Sequence, residues 1–165
     1  MYHGMRRHPV HGGSRMKVGI FVYSETGNTR QVAGRVEERV GSGGHEVVIH
    51  ELKADKDRSS LSEVPPVAGY ELLCIGSPVH AFSLSNPMTL FLQELPPLDG
   101  TTVAFFVTQA LPFSWLGGNR AMRAVRRAVE NKGGNPLAAG IVHWPSSGRE
   151  QEIESVVANI ESRLK

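Results

Sequence analysis

The chain has 165 residues, of which 40% are hydrophobic, and it carries 18 lysines and arginines against 16 acidic residues. These values are ordinary for one soluble globular domain with a sizeable core. No apolar stretch approaches the roughly 20 residues that a membrane span requires, so a membrane-spanning protein is excluded.

Residues 1–15 are rich in His, Gly and Arg and have no apolar core. A signal peptide needs an apolar stretch of roughly 7–15 residues, so we expect a disordered leader or a tag-like extension here and the domain at residues 16–165. A basic arm for nucleic acid or a membrane is the alternative. Because Arg6, Arg7 and Arg15 lie in this segment, removing them from the 18 leaves 15 basic residues against 16 acidic ones. The sequence therefore predicts no nucleic-acid partner.

The first predicted strand is the apolar run from Val18 to Tyr23. Small and polar residues follow at once, and apolar residues return at helical spacing at Val32, Val36 and Val40. A strand that passes through a tight loop into a helix directs free backbone N–H groups and the positive end of the helix dipole at one place. This loop is therefore predicted to bind an anion, namely a phosphate.

The loop lacks both common Gly-rich nucleotide patterns, and it has no lysine to reach a β- or γ-phosphate. Hydroxyls and N–H groups without a cation suit a single terminal phosphate monoester. The alternative is that these polar residues only cap the helix. The predicted phosphate-binding residues are Ser24, Glu25, Thr26, Gly27, Asn28 and Thr29.

The order Ser-x-Thr-Gly-Asn-Thr after a first strand resembles the phosphate loop of flavodoxins, the electron carriers that bind flavin mononucleotide (FMN). The resemblance covers six residues, and the strand before it and the helix after it make it specific. It implies FMN as the cofactor and the flavodoxin-like fold.

A second, less buried strand is predicted at residues 45–52. Residues 53–68 are charged and then rich in Ser and Pro, and they predict a loop or a short helix near residues 59–64. A third strand is predicted at residues 70–76, and a helix at residues 86–95.

A fourth strand is predicted at residues 101–107, followed by a long loop and an amphipathic helix whose apolar face includes Ala121, Val125 and Val129. A fifth strand is predicted at residues 137–142. Ser147 and Glu150 have the spacing of a capping box, which predicts the start of the last helix.

Strands and helices alternate throughout, and the strands are apolar on both faces. This pattern predicts an α/β fold: a doubly wound, five-stranded parallel sheet in the order 2-1-3-4-5 with helices on both faces. Ligands of such sheets bind beyond the carboxyl ends of the strands, where the strand order reverses. The loops after the first, third and fourth strands are therefore predicted to form one site.

The loop after the third predicted strand, Gly-Ser-Pro-Val-His-Ala-Phe, resembles the first ring-binding loop of a flavodoxin family common in anaerobes. Thr-Gln-Ala and the later Gly-Gly occupy the place of the second ring-binding loop. The resemblance implies that a flat flavin ring lies between these loops; the alternative is that Phe82 and Phe113 fold back into the core. The predicted ring-binding residues are Ser77, Pro78, Val79, His80, Ala81, Phe82, Thr108, Gln109, Ala110, Phe113, Trp115, Gly117 and Gly118.

The resemblance to short-chain flavodoxins implies electron transfer with a redox partner protein or a small-molecule acceptor. An FMN-dependent reductase of NAD(P)H or quinone type is the alternative, with Leu111, Phe113 and Trp115 covering a substrate. A flavin-free module that acts only through protein contacts is the second alternative. The sequence leaves the oligomeric state open, a dimer included.

The single cysteine, Cys74, excludes a disulfide within the chain and fits a reducing cytoplasm. His45, His50, His80 and His143 lack metal-ligand spacing, so no metal site is predicted.

Overall fold

The computed structural model describes residues 14–165, and the predicted leader lies almost wholly outside them. A central sheet is built from strands that follow apolar runs of the sequence, and the helices begin where polar or Gly residues interrupt those runs. The elements are β1 (Lys17–Val22), α1 (Asn28–Ser42), β2 (Glu46–Glu51), β3 (Leu72–His80), β4 (Ser83–Leu84), α2 (Asn86–Gln93), β5 (Thr102–Gln109), α3 (Gly118–Asn131), β6 (Asn135–His143) and α4 (Arg149–Glu161), with 3-10 turns at Ser114–Leu116 and Ser162–Leu164.

The strands are arranged in the order β2-β1-β3-β5-β6, and each neighbouring pair on this path is parallel. The short strand β4 lies off the path and pairs antiparallel with β3. Without β4 this is the predicted order 2-1-3-4-5, so the predicted fold class is confirmed. The strand order reverses between β1 and β3, which places their carboxyl ends and that of β5 at one edge.

The sheet separates two hydrophobic cores. On one face, Val32 and Val36 of α1 and Ile153 of α4 share a core with alternate residues of β1. On the other face, Phe91 of α2 and Val125 of α3 belong to the second core. Such burial stabilises the fold by about 25 cal/mol for each Å² of apolar surface removed from water. Both faces are covered, which explains why the strands lack an alternating polar pattern.

Strands β3 and β5 extend further toward the carboxyl edge than the sequence predicts. Ser77 and Pro78, predicted as loop, continue β3 and pair in register with Val107 and Thr108 of β5. Polar residues and a proline resemble a loop in the sequence, but the neighbouring strand keeps them extended. Residues 77–80 and 108–109 are therefore strand, and the loops begin after them.

Two local predictions are decided by the structure. Of the loop and the short helix predicted near residues 59–64, the loop is correct: these residues form no helix, and the Asp55 carboxylate accepts hydrogen bonds from the N–H groups of Ser59 and Ser60. At the start of α4 the N-cap is Gly148, with no side-chain cap, so no capping box forms. The Glu150 carboxylate instead pairs with Arg35 of α1 at 2.9 Å.

The predicted boundary between residues 15 and 16 falls just before β1, in an exposed stretch. Within residues 14–165, no helix combines the length and the apolar character that crossing a bilayer demands.

Candidate functional site

The three loops predicted to form one site contact one another at the carboxyl edge of the sheet. Thr29 Oγ1 lies 2.8 Å from Thr108 Oγ1, which joins the start of α1 to the end of β5. His80 Nε2 lies 3.3 Å from an oxygen of Glu25, which joins β3 to the loop after β1. A Cβ added to Gly117 would lie 2.7 Å from Val79, so the loop after β5 packs directly against β3.

The loop after β1 presents a row of free backbone donors. Gly27 has φ 90° and is the N-cap of α1, a conformation that favours glycine. Ser24 Oγ accepts a hydrogen bond from the N–H of Arg30 at 3.2 Å. Within residues 14–165, the N–H groups of residues 25–29 have no acceptor. Of the polar side chains in this loop, only Ser24 therefore caps a helical N–H group. The N–H groups of residues 25–29 are available to an anion at the helix N-terminus.

The Glu25 side chain is turned to Arg58 and His80 rather than to these donors. Its carboxylate pairs with Arg58 at 2.9 Å and with His80. The carbonyl of Arg58 accepts a hydrogen bond from Asn86 at 2.6 Å, which holds Arg58 at the start of α2. No sequence pattern marked Arg58 or Asn86 as site residues, because Arg58 lies in the linker 53–68, which carries no motif, and Asn86 only begins a helix.

His80 is half-buried beside this ion pair, and its ring packs edge-on against Tyr23. Burial lowers the pKa of His80 most strongly; the Glu25 carboxylate opposes this, and Arg58 lowers it further. His80 is therefore favoured in its neutral form. Burial and the Glu25 carboxylate also raise the pKa of Tyr23.

Strands β3 and β4 are joined by a two-residue turn in a left-handed conformation. Ala81 has φ 47° and Phe82 has φ 63°. Such turns are normally built from Asn and Gly, and each other residue held there costs about 1–2 kcal/mol. The Phe82 side chain is 57% exposed rather than packed in the core. Backbone strain of this kind is typical of functional sites.

The loop after β5 is held by a buried amide. Gln109 Nε2 donates to the carbonyls of Leu111 and Phe113, each at 2.7 Å. Its Oε1 is buried and has no partner among the described residues. A Cβ on Gly118 would overlap that oxygen, so this glycine is required for a tight approach.

Two aromatic side chains of this loop stand in solvent. The rings of Phe113 and Trp115 stack with centroids 5.7 Å apart and an angle of 8° between planes. They are 54% and 72% exposed, so the alternative that Phe82 and Phe113 fold back into the core is wrong. The pair forms an exposed apolar surface beside the site.

Other predicted ring-binding residues are buried and form hydrogen bonds beneath the loops. Ser77 Oγ is buried and lies 2.7 Å from Ser85 Oγ. Thr108 is buried against Thr29. The groove between the β3–β4 turn and the loop after β5 has a volume of about 110 Å³; it is lined by Val79, Ala81, Phe82, Gln109, Ala110, Leu111 and Leu116.

Cys74 is fully buried in β3, and burial raises its pKa to about 12. It therefore stays protonated and unreactive. In the described part of the chain, no group of three or more His, Cys, Asp or Glu side chains is arranged to hold a metal ion.

Taken together, the strand order and the loop after β1 define an α/β protein with a loop rich in free N–H donors at the reversal point of a doubly wound sheet. The chain has the flavodoxin-like fold. No protein-family model and no curated protein sequence matches it.

Solved structures of several flavodoxins and flavoproteins are similar to this chain. A WrbA-like flavodoxin from Agrobacterium tumefaciens has a TM-score of 0.68 and 17% sequence identity, and the match covers 91% of this chain and 99% of the flavodoxin. A flavodoxin from the domain Archaea has a TM-score of 0.66 and 18% identity, covering 90% and 99%. A flavoprotein from Lactobacillus acidophilus in complex with FMN has a TM-score of 0.60 and 16% identity, covering 84% and 97%.

Proposed function

We propose that the protein binds FMN and transfers electrons. The observation that carries this proposal is the row of free N–H groups at residues 25–29, at the N-terminus of α1 and within the cluster of three contacting loops. The exposed hydroxyl of Thr26 and the amide of Asn28 add donors to this cradle. The solved structure that contains FMN shares this fold.

The donor set fits a phosphate monoester, and the ring site fits in part. The 110 Å³ groove is smaller than the roughly 300–1,000 Å³ of most small-molecule sites. It therefore admits part of a tricyclic ring, and the remainder would be exposed beside Phe82 and Phe113. Bound FMN would supply the redox chemistry, while this chain would hold the phosphate and orient the ring.

The test is a titration of the protein with FMN and with riboflavin, followed in the visible spectrum. We expect riboflavin, which lacks the phosphate, to bind about 100-fold more weakly, because hydrogen bonds to a charged group contribute about 1.5–3 kcal/mol each. Thr26→Glu should weaken FMN binding by placing a negative charge in the cradle. Gln31→Glu, which adds the same charge on the exposed face of α1, is the matched control. Equal affinity for the two flavins would overturn the phosphate assignment.

A cavity on the other side of the β3–β4 turn favours an FMN-dependent reductase as a second candidate. Its volume is about 640 Å³, and Arg58, His80 and Asn86 contribute to its lining. This volume is typical of a substrate site. Arg58, whose Nη1 pairs with Glu25, has further N–H donors for a phosphate-bearing nicotinamide cofactor. Rapid bleaching of the FMN-loaded protein by NAD(P)H, slowed by Arg58→Gln and not by Lys56→Gln, would support the reductase. Without bleaching, simple electron transfer remains.

The exposed face of helix α3 favours a partner of negative charge. Arg120, Arg123 and Arg127 are exposed and lie on one face of the helix, which begins directly after the Phe113–Trp115 loop. This face favours an acidic partner protein or an anionic acceptor. Reoxidation by the anion ferricyanide should slow when salt is added, and it should slow in the triple Arg→Gln variant. Reoxidation by the cation hexaamminecobalt(III) should become faster under both changes.

We place this activity in the cytoplasm, where Cys74 would remain reduced.

A further inference from the structure

A chain of hydrogen bonds outside the predicted flavin site connects a serine, a histidine and a glutamate. Ser114 Oγ lies 3.0 Å from His143 Nε2, and His143 Nδ1 lies 2.7 Å from Glu152 Oε2. Ser114 begins the 3-10 turn after β5, His143 ends β6, and Glu152 is in the first turn of α4. A nucleophile, a base and a carboxylate that orients the base stand in this order in nucleophilic enzymes.

The glutamate fixes which nitrogen of the imidazole carries the proton. One oxygen of Glu152 accepts the backbone N–H of His143 at 3.2 Å, and the other faces Nδ1. A carboxylate is only an acceptor, so Nδ1 must carry hydrogen, and Nε2 of the neutral ring is left as an acceptor. Ser114 therefore donates its O–H to Nε2, which is the arrangement that activates a hydroxyl for attack.

The segment that carries Ser114 is held in place on both sides. The Gln109 side-chain amide donates hydrogen bonds to the carbonyls of Leu111 and Phe113, and Phe113 immediately precedes Ser114. The carbonyl of Gln109 in turn accepts the N–H of Trp144, next to His143, at 2.9 Å. Nucleophile and base are thereby fixed to adjacent strands, which supplies the preorganisation that such chemistry requires.

Two further features surround the serine. Within residues 14–165, the backbone N–H groups of Trp115 and of residues 118–120 have no acceptor, so donors for a developing oxyanion follow Ser114 along the chain. The stacked rings of Phe113 and Trp115 flank it in sequence and offer a flat apolar surface. An aromatic or apolar ester is the substrate class that these groups suit.

We propose that Ser114 is an activated nucleophile that cleaves carboxylic esters bearing an aromatic or apolar group. Ser114 Oγ bonds to the carbonyl carbon as its proton passes to His143 Nε2. The bond to the leaving oxygen breaks, and that oxygen takes the proton from His143. Water then attacks the acyl group, giving a proton to His143, and the ester bond to Ser114 breaks as the serine recovers its proton. The step needs no oxidant, no reductant and no flavin, although its apolar surface, Phe113 and Trp115, also belongs to the predicted ring site.

The test uses p-nitrophenyl acetate with the full chain, without and with added FMN. We expect release of p-nitrophenol to fall about 100-fold in Ser114→Ala, within the range that a positioned base contributes. Ser147→Ala is the matched control, because Ser147 is an exposed serine near the same strand end and lies outside the chain of hydrogen bonds. A rate in Ser114→Ala equal to that of Ser147→Ala would overturn the proposal.

Glu152→Gln separates catalysis from a structural role. Glutamine keeps the shape of glutamate but donates from its amide to Nδ1, which moves the ring proton to Nε2 and prevents Ser114 from donating. We expect this variant to retain its circular dichroism spectrum and to lose the esterase rate as Ser114→Ala does. In the unmodified protein, a fluorophosphonate probe should label Ser114, as read by peptide mass spectrometry. Labelling of another residue, or none, would show that the three side chains only fasten the loop.

Discussion

Thr29 and Thr108 are both buried, and their Oγ1 atoms lie 2.8 Å apart between the first turn of α1 and the end of β5. This hydrogen bond connects the predicted phosphate loop directly to the strand that carries the second ring-binding loop. The relative position of the two loops therefore depends on the hydroxyls of two buried residues.

Each single change, Thr29→Val or Thr108→Val, should lower the free energy of unfolding by about 1–3 kcal/mol, because the other hydroxyl is left buried without a partner. The double variant removes both hydroxyls and should cost less than the sum of the two single changes. Urea unfolding of the four proteins gives the coupling free energy. Additive losses would mean that the hydrogen bond does not form in solution.

Phe82→Gly should raise the free energy of unfolding by about 1 kcal/mol. It relieves a left-handed conformation at a position whose side chain is mostly exposed, so little packing is lost. Ser83→Gly, one residue later in β4, is the control and should be destabilising, because glycine weakens a strand. Urea unfolding measures both variants. If Phe82→Gly lowered stability as much as Ser83→Gly, the turn would not be strained.

Gly118→Ala should lower the free energy of unfolding by about 1–3 kcal/mol, since the added methyl group overlaps the buried Oε1 of Gln109. Displacement of Gln109 would release the carbonyls of Leu111 and Phe113. Gly41→Ala is the comparison: its methyl group meets nothing within 4 Å, and helix propensity should stabilise it by no more than about 1 kcal/mol. Thermal melts that rank the two alanine variants in the reverse order would contradict this account of the loop.

His80 should make stability depend on pH in the mildly acidic range. Burial lowers its pKa in the native state below the reference value of 6.5. The unfolded chain therefore binds the proton more readily, and stability is lost as pH falls through 6.5 toward the native pKa. His80→Gln should lose less stability between pH 7 and pH 5 than the unmodified protein. Part of the loss should remain, because burial also lowers the pKa of His50. If His80→Gln lost as much stability between pH 7 and pH 5 as the unmodified protein, another group would cause the pH dependence.

The order of the elements could be predicted from the sequence because its signals are local. An apolar run that stops at Ser24 and resumes with helical spacing at Val32 defines a strand, a loop and a helix without reference to the rest of the chain. The free N–H groups of residues 25–29 follow from that local geometry. The alternation of such units then predicts the parallel sheet and its reversal point.

The ends of β3 and β5 depended on pairing between strands. Pro78 and Thr108 are typical of loops when each is considered in its own segment, yet they face each other in register. The Ser147–Glu150 pattern failed for a related reason, since Glu150 pairs with Arg35 of another helix. Local propensity is weak where a tertiary contact stabilises a different arrangement.

By itself, the sequence determined the doubly wound fold and the donor-rich loop after β1, because hydrophobic periodicity and backbone preferences act between residues close along the chain. Only the tertiary structure decided which side chains meet. Arg58 reaches Glu25 across 33 positions, and Ser114 reaches His143 across 29. No pattern in the sequence marks these pairs, because the packing of the helices and loops against the sheet brings them together.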